Sequence, residues 1–374
     1  MPISPMDEFL AHQTSDSFDR VFTSDRNFYD RHYFNCFPID GELFLITGMG
    51  QYPNLGVSDA FVTVSLGQQQ FTVRASRELG VDRLDTQVGP FSVEVVEGLR
   101  KLRWRCARNE WGIAFDLLFE GSVPAQEEPK TLIRSRARVT QDVSRYAQIG
   151  TYRGWLEVAG RRFELDPTAW RGVRDHSWGI RPVGEREAPG IGLSDIAKGR
   201  AGFYHNWLPM HFDDGMLKVM RDEDCDGHVL VEEAVKVWRF GIDRPSEPLG
   251  HPEIRIVYQP GTREIAHSEV RLQPPAGKLL RVVATPLRTV YLAAGSGYVP
   301  DADWGHGYYK GPLAVEGLTH DFAAPEQRRR YAIINETLCR FELDSGEVGY
   351  GMHENMCLGV YRPAGFDTPD AVAP

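Results

Sequence analysis

Ile113-Ala114-Phe115-Asp116-Leu117-Leu118-Phe119-Glu120 is the stretch that decides the fold class. Ile113, Phe115, Leu117 and Phe119 fall on one face of an extended chain, with Asp116 and Glu120 on the other. A period of two predicts a half-buried β-strand. Residues 42–47, 60–66, 70–74, 91–96, 102–107 and 152–158 also read as strands. Ala159-Gly160 predicts a hairpin turn into a strand at 162–165. The second half repeats the style at 203–211, 216–220, 229–240, 253–258, 268–272 and 279–285. Helical signals are confined to residues 16–28 and 324–330, the latter with Pro325 near its first turn. Short strands without intervening helices predict an all-β sandwich or barrel.

The chain has 374 residues, enough for two domains or one large one. Residues 181–192, rich in Pro, Gly and charge, form the expected linker. The expected units are 1–185 and 192–374. With 42 Lys and Arg against 52 Asp and Glu, the net charge is −10, and the basic residues are scattered. That excludes a basic footprint for nucleic acid. No apolar run approaches the ~20 residues of a membrane span. The first twenty residues carry four acidic groups and no apolar signal region, so no secretory leader is expected. Five cysteines without CxxC spacing predict free thiols in a reducing cytoplasm.

Three motif matches have ordinary alternatives. Asp222-Glu223-Asp224-Cys225-Asp226-Gly227 followed by Glu233 fits a calcium loop, but the flanks read as strands, so an acidic hairpin turn is expected. Gly48-Met49-Gly50 lacks the third glycine of a dinucleotide loop and is followed by Pro53 rather than a helix. Gly295-Ser296-Gly297 lacks the frame of a nucleophile elbow. His205 and His211 share a strand face but lie roughly 20 Å apart, too far to ligate one ion. Asn335-Glu336-Thr337 matches a glycosylation sequon, which carries little weight without secretion.

Three polar-aromatic clusters remain. Gly172-Val173-Arg174-Asp175-His176-Ser177-Trp178-Gly179 packs a cation, a carboxylate, an imidazole and an indole between two glycines. His176 suits acid/base work, with Asp175 or another carboxylate tuning it. Trp178 shares the face of His176 on a strand, and an indole face attracts positive charge. The alternative is a buried polar knot tying two domains together. Phe203-Tyr204-His205-Asn206-Trp207 and Gly349-Tyr350-Gly351-Met352-His353-Glu354-Asn355 have the same character. Glu354 in an apolar strand needs a partner, with Arg174 and His176 as candidates, or else is a plain surface residue.

On these clusters, and on Phe28-Tyr29-Asp30-Arg31-His32-Tyr33-Phe34-Asn35, the chain resembles the carotenoid 1,2-hydratase (hydroxyneurosporene synthase) and AttH-like superfamily. The resemblance implies two tandem lipocalin-like antiparallel β-barrels with a ligand cavity in or between them. It also implies acid/base chemistry on apolar, isoprenoid- or polyketide-like molecules. His176-Ser177-Trp178 matches the His-x-Trp pair of those hydratases. Tyr204-His205-Asn206 keeps the tyrosine of their Tyr-x-Asp pair but has asparagine for aspartate. Asparagine cannot protonate an alkene, so the acid comes from elsewhere (Asp175, Asp195 or Glu354), or the reaction is not hydration.

The expected activity is cofactor-independent hydration, dehydration, isomerisation or cyclisation of a hydrophobic small molecule. His176, Asp175, Trp178, Tyr204 and Glu354 are the candidate catalytic residues. Trp178, Tyr204, His205, Asn206, Trp207 and Tyr350 are the candidate ligand contacts. No metal, cofactor, nucleic acid or membrane partner is expected. The rival is a carrier of the same fold for a lipid, steroid or terpenoid, because fold alone does not decide function.

Overall fold

A computed structural model of the protein describes residues 6, 12–184, 190–196, 198–300 and 303–374. It is nearly all antiparallel β, as a nearly closed barrel and a half-barrel. Among the described residues the first sheet has fourteen strands. Its central run is Gln69–Glu78, Val57–Leu66, Leu43–Tyr52, Phe28–Pro38, Trp170–Ile180, Arg138–Val158 and Ala114–Gly121. The second has nine among the described residues, with Val229–Trp238, Gly215–Asp224, Gly202–Phe212, Val348–Gly359, Ile334–Leu343 and Leu280–Tyr291 at its centre. The strand Leu313–Asp321 belongs to the second half of the sequence yet pairs with Gln69–Glu78 at the edge of the first sheet.

The alternation at residues 113–120 orders the first core. Ile113, Phe115, Leu117 and Phe119 are buried around Trp104, while Asp116 faces outward and is gripped by Arg103 at 2.6 Å. Ala159 and Gly160 both have positive φ, 50° and 73°, as a tight two-residue hairpin turn requires. The predicted helix at 324–330 is present as Pro325–Tyr331. The helix expected at 16–28 is not: these residues form turns and bends, and a strand starts at Phe28. Asp16, Ser17, Asp19 and Asp25 make local side-chain contacts there, and such contacts compete with helical hydrogen bonds. Residues 185–189 of the expected linker lie outside the described residues.

Three packed layers result. Phe34, Trp104 and Phe119 fill the interior of the first sheet. Leu208, Met210 and Phe341 fill the interior of the second. Between them the outward faces meet through Tyr33, Phe37, Phe44, Ile149, Trp207, Met216 and Met352. Each strand at this seam therefore buries both faces. Phe28–Pro38 sends Phe34 and Cys36 into the first core and Tyr33 and Phe37 into the seam. Each such apolar side chain contributes about 1.5–3 kcal/mol by burial. Among the described residues, no helix is long and apolar enough to cross a membrane. The five cysteines are all free thiols.

Candidate functional site

A cavity of about 620 Å³ opens within this seam. Its first-sheet wall follows directly from strand register. Ser177 is paired with Arg31 on one side and with Arg145 on the other. In the next row Asp175 lies between Tyr33 and Ala147. Alternation then places Asp175 and Ser177 in the cavity and turns Arg174, His176 and Trp178 to the opposite face.

Buried Arg31 ties a loop to this wall. Its Nη1 donates to Asp59 Oδ1 at 2.6 Å and to Tyr52 Oη at 2.7 Å, and Nη2 lies 3.0 Å from His306 Nε2. The other Asp59 oxygen accepts from Gly307 N at 2.8 Å. Burial and the facing guanidinium hold His306 neutral, well below the usual imidazole range, so it can accept from Arg31. The loop carries Tyr298, Val299 and Pro300 into the cavity. Gly48 and Gly50 make room for the guanidinium, since Cβ atoms there would stand 3.2 Å from Arg31 Nη2 and 2.8 Å from Nη1. The Gly-x-Gly pair thus sits inside a strand and accommodates an arginine, not a nucleotide.

The second-sheet wall carries acids and an imidazole. Trp207, Glu354 and Glu336 lie in one cross-strand row on three adjacent strands. Directly opposed residues have Cβ atoms about 4.5–5.5 Å apart, so two carboxylates placed so cannot both ionise cheaply. Burial and the neighbouring charges of Glu354 and Asp175 push Glu336 well above the usual carboxylate range. Among the described residues its Oε2 has no hydrogen-bond partner. Glu354 moves the other way. Burial opposes its charge, but His205, with Nε2 at 3.8 Å, holds it low. Burial also opposes charge on His205. Its Nδ1 hydrogen bond to Asp222 and the charge of Glu354 outweigh that and push the imidazole up to about 10. The surroundings thus favour the neutral form of Glu336 and the charged forms of Glu354 and His205.

A polar bridge connects the two walls. Glu128 accepts from Trp207 Nε1 at 2.7 Å and is paired with Lys218 at 3.2 Å and Arg145 at 3.4 Å. Burial pushes the Asp175 carboxyl up to about 6, with Arg145 opposing that shift and Glu128 and Glu354 reinforcing it.

Of the residues singled out in the sequence, Asp175, His205, Trp207 and Glu354 line the cavity together. His176 does not. Its Nε2 lies 2.7 Å from Asp30 Oδ1, its Nδ1 lies 3.1 Å from Tyr146 Oη, and its ring packs 4.2 Å from that of His32. Asp30, not Asp175, therefore orients His176; neighbouring strand residues point to opposite faces. Trp178 is 39% exposed beside His176. Tyr204 stacks on Tyr361 and hydrogen-bonds Tyr258 at 2.8 Å, away from the cavity. Asn206 accepts from Asn355 Nδ2 and lies 3.0 Å from His353 Nε2, also away from it. Tyr350 packs at the edge of the seam, under Arg171, outside the cavity lining. Glu354 partners His205 rather than Arg174 or His176.

Glu336, Asp222, Arg145 and Arg181 belong to the cavity and were missed. The signal for Glu336 was available, as a lone acid in the apolar run Ile333-Ile334-Asn335-Glu336-Thr337-Leu338. Asn335 of the sequon is buried and donates to Arg263 O at 2.9 Å. The calcium-loop pattern is an acidic hairpin turn between Gly215–Asp224 and Val229–Trp238. Asp222 serves His205 and Glu233 serves Lys218 at 2.5 Å, so neither reaches the turn. Asp224, Asp226 and His228 do approach one another there, with Asp224 bound to His228 and Asp226 to Arg362.

These features define an all-β protein of two lipocalin-like barrels with a charged cavity in the seam between them. The chain belongs to DUF8625, a family of unknown function, whose model matches residues 3–367. The fold is similar to that of a Nitrosomonas europaea protein provisionally named an AttH. That likeness has 14% identity and a TM-score of 0.54, and covers 95% of this chain and 99% of that one. CghA, solved with Sch210972, has 10% identity and a TM-score of 0.49, with 90% and 89% covered. Kievitone hydratase from Nectria haematococca has 12% identity and a TM-score of 0.43, with 89% of each chain covered. No curated protein matches the sequence.

Proposed function

We propose that the chain is an acid/base enzyme that moves a proton on an apolar small molecule held in the seam cavity. The reaction class is hydration, dehydration, isomerisation or cyclisation, chemistry that the residues of the cavity can run without a cofactor. One observation carries this reading: Glu336 and Glu354 face each other on one cavity, with surroundings that drive their proton affinities apart. Such a divided pair is how a single site supplies both an acid and a base near neutral pH. Glu336 donates the proton. Glu354, kept ionised by His205, accepts one or stabilises positive charge on the substrate. Asp222 fixes the His205 ring through Nδ1, leaving Nε2 toward Glu354. Trp207, Met220, Ile334 and Met356 supply apolar surface around the acids.

In this reading the His176 cluster, whose partners Asp30, Tyr146 and His32 all belong to the first sheet, is a polar network within that sheet and neither the proton donor nor a tie between domains. We read the chain as two units dividing within 181–192, the second lending Leu313–Asp321 to the first sheet. The free thiols suit a reducing compartment such as the cytoplasm.

The test uses a panel of apolar alkenes and tertiary alcohols incubated with the protein in D2O, read by mass spectrometry. Bound members are expected to gain deuterium with the wild type and not with Glu336→Gln. Members that bind and never exchange would instead make the protein a carrier.

A further inference from the structure

The cationic side of the cavity contains guanidinium groups that the proton-transfer reading leaves unused. Arg31, Arg145 and Arg181 all line it, and among the described residues none has a hydrogen-bond partner for its buried Nε–H. Those Nε–H groups lie beneath the cavity surface, so a ligand can meet these cations only at their Nη groups. Arg31 spends its other nitrogens on Asp59, Tyr52 and His306. Arg145 Nε is 4.0 Å from Asp175 Oδ2, too far for a hydrogen bond. Arg181 has no carboxylate in ion-pair contact among the described residues. Its guanidinium lies 4.4 Å from the centre of the Tyr29 ring and 5.8 Å from that of Tyr298. Those rings hold the cation in place without neutralising it.

Register concentrates these groups. Ser177 stands in line between Arg31 and Arg145, and Tyr29, which carries Arg181, is paired with Gly179 two residues on. Gly179 cannot be replaced by a larger residue, because a Cβ there would meet Asp142 O at 2.0 Å. The opposite wall holds Trp207, Met220, Ile334 and Met356 around the acids. The cavity thus has three guanidinium groups, with Asp175 and Glu128 among them, on the first wall, and apolar surface around Glu336, Glu354 and His205 on the other.

We propose that its substrate is amphiphilic, with a carboxylate-type oxyanion docked against Arg145, Arg181 and Ser177 and an apolar body reaching toward Glu336. This rests on the proton-transfer reading of the cavity and adds the direction in which the substrate lies. Arg31 is largely neutralised by Asp59 and serves as the back of the cradle. Arg145 already faces Glu128 and Asp175, so Arg181 carries most of the recognition and Arg145 supports it. A neutral molecule of the same shape leaves the Arg181 charge without a counter-ion, and a charged hydrogen bond contributes more than a neutral one.

Fluorescence titration with 2-naphthoate and 2-naphthalenemethanol tests this on the intact protein. The two probes share an apolar body and differ in the head group. Wild type is expected to bind the carboxylate at least about tenfold more tightly at pH 7.5. Arg181→Met is expected to erase that preference, Arg181→Lys to keep part of it, and Glu336→Gln to keep all of it. Arg145→Met is the second variant, should Arg181→Met fail to fold. Equal affinity of the wild type for both probes overturns the head-group proposal alone. A preference that survives both Met variants overturns it as well. Failure of both probes to bind contradicts the cavity reading, and this proposal falls with it.

Discussion

Glu336 and Glu354 stand directly opposite each other on adjacent antiparallel strands, and His205 leans on Glu354. The pair is thereby made unequal. One carboxyl has an imidazolium beside it; the other has burial and a neighbouring negative charge.

Glu336→Gln keeps the shape of a protonated carboxyl, so its cost at pH 7 is expected to be small, within about 1 kcal/mol. The sign of its pH dependence is distinctive. A raised folded pKa means that wild-type stability is lost as pH rises above the ordinary glutamate value. The glutamine variant lacks that loss, so its stability relative to wild type should improve from pH 6 to pH 9. Urea unfolding at several pH values measures this.

Glu354→Gln removes the negative charge that helps keep Glu336 protonated. Glu336 should then release its proton at lower pH. In a deuterium-exchange assay the alkaline limb of the rate profile is expected to move toward acid, with the rate reduced as well. An unmoved limb would separate the two carboxylates electrostatically.

His205 is raised to about 10. Stability from its charged form is fully present below the unfolded value near 6.5 and is lost as pH climbs toward 10. For so buried a group this is on the order of a few kcal/mol. Asp222→Asn should lower wild-type stability at pH 7 and flatten the slope between pH 7 and 10. Thermal melts across that range check it.

Arg31 and Asp59 pin the loop that carries Tyr298 to the first sheet. Removing one partner of a buried pair costs about 3–5 kcal/mol, because the other charge is left uncompensated. Asp59→Asn is expected to fall in or just below that range. Hydrogen exchange at His306 and Gly307 should quicken more than exchange in the strand Leu43–Tyr52.

The all-β class was legible because it rests on local alternation, as at Ile113 to Phe119, and on local turn chemistry at Ala159-Gly160. The site was only half legible, and the reason is physical. His176 drew attention by its composition, but its partner Asp30 is 146 residues away. Glu336 becomes a candidate acid only when Val348–Gly359 pairs with Ile334–Leu343 and brings Glu354 opposite. Arg31 and Arg145 flank Ser177 from strands far apart in sequence. One error was avoidable. Asp175 and His176 are consecutive on a strand, so alternation alone forbids one from orienting the other in a shared site. The edge strand Leu313–Asp321 had no local signal for its partner, which lies more than 230 residues earlier in the chain.

The central claim is that Glu336 is a neutral acid at physiological pH while Glu354 is ionised. Infrared difference spectroscopy of wild type against Glu336→Gln at pH 7, in H2O and D2O, measures this directly. The account predicts a deuterium-sensitive carboxylic acid carbonyl band in wild type that Glu336→Gln lacks and Glu354→Gln weakens. Only carboxylate bands lost on Glu336→Gln would contradict it.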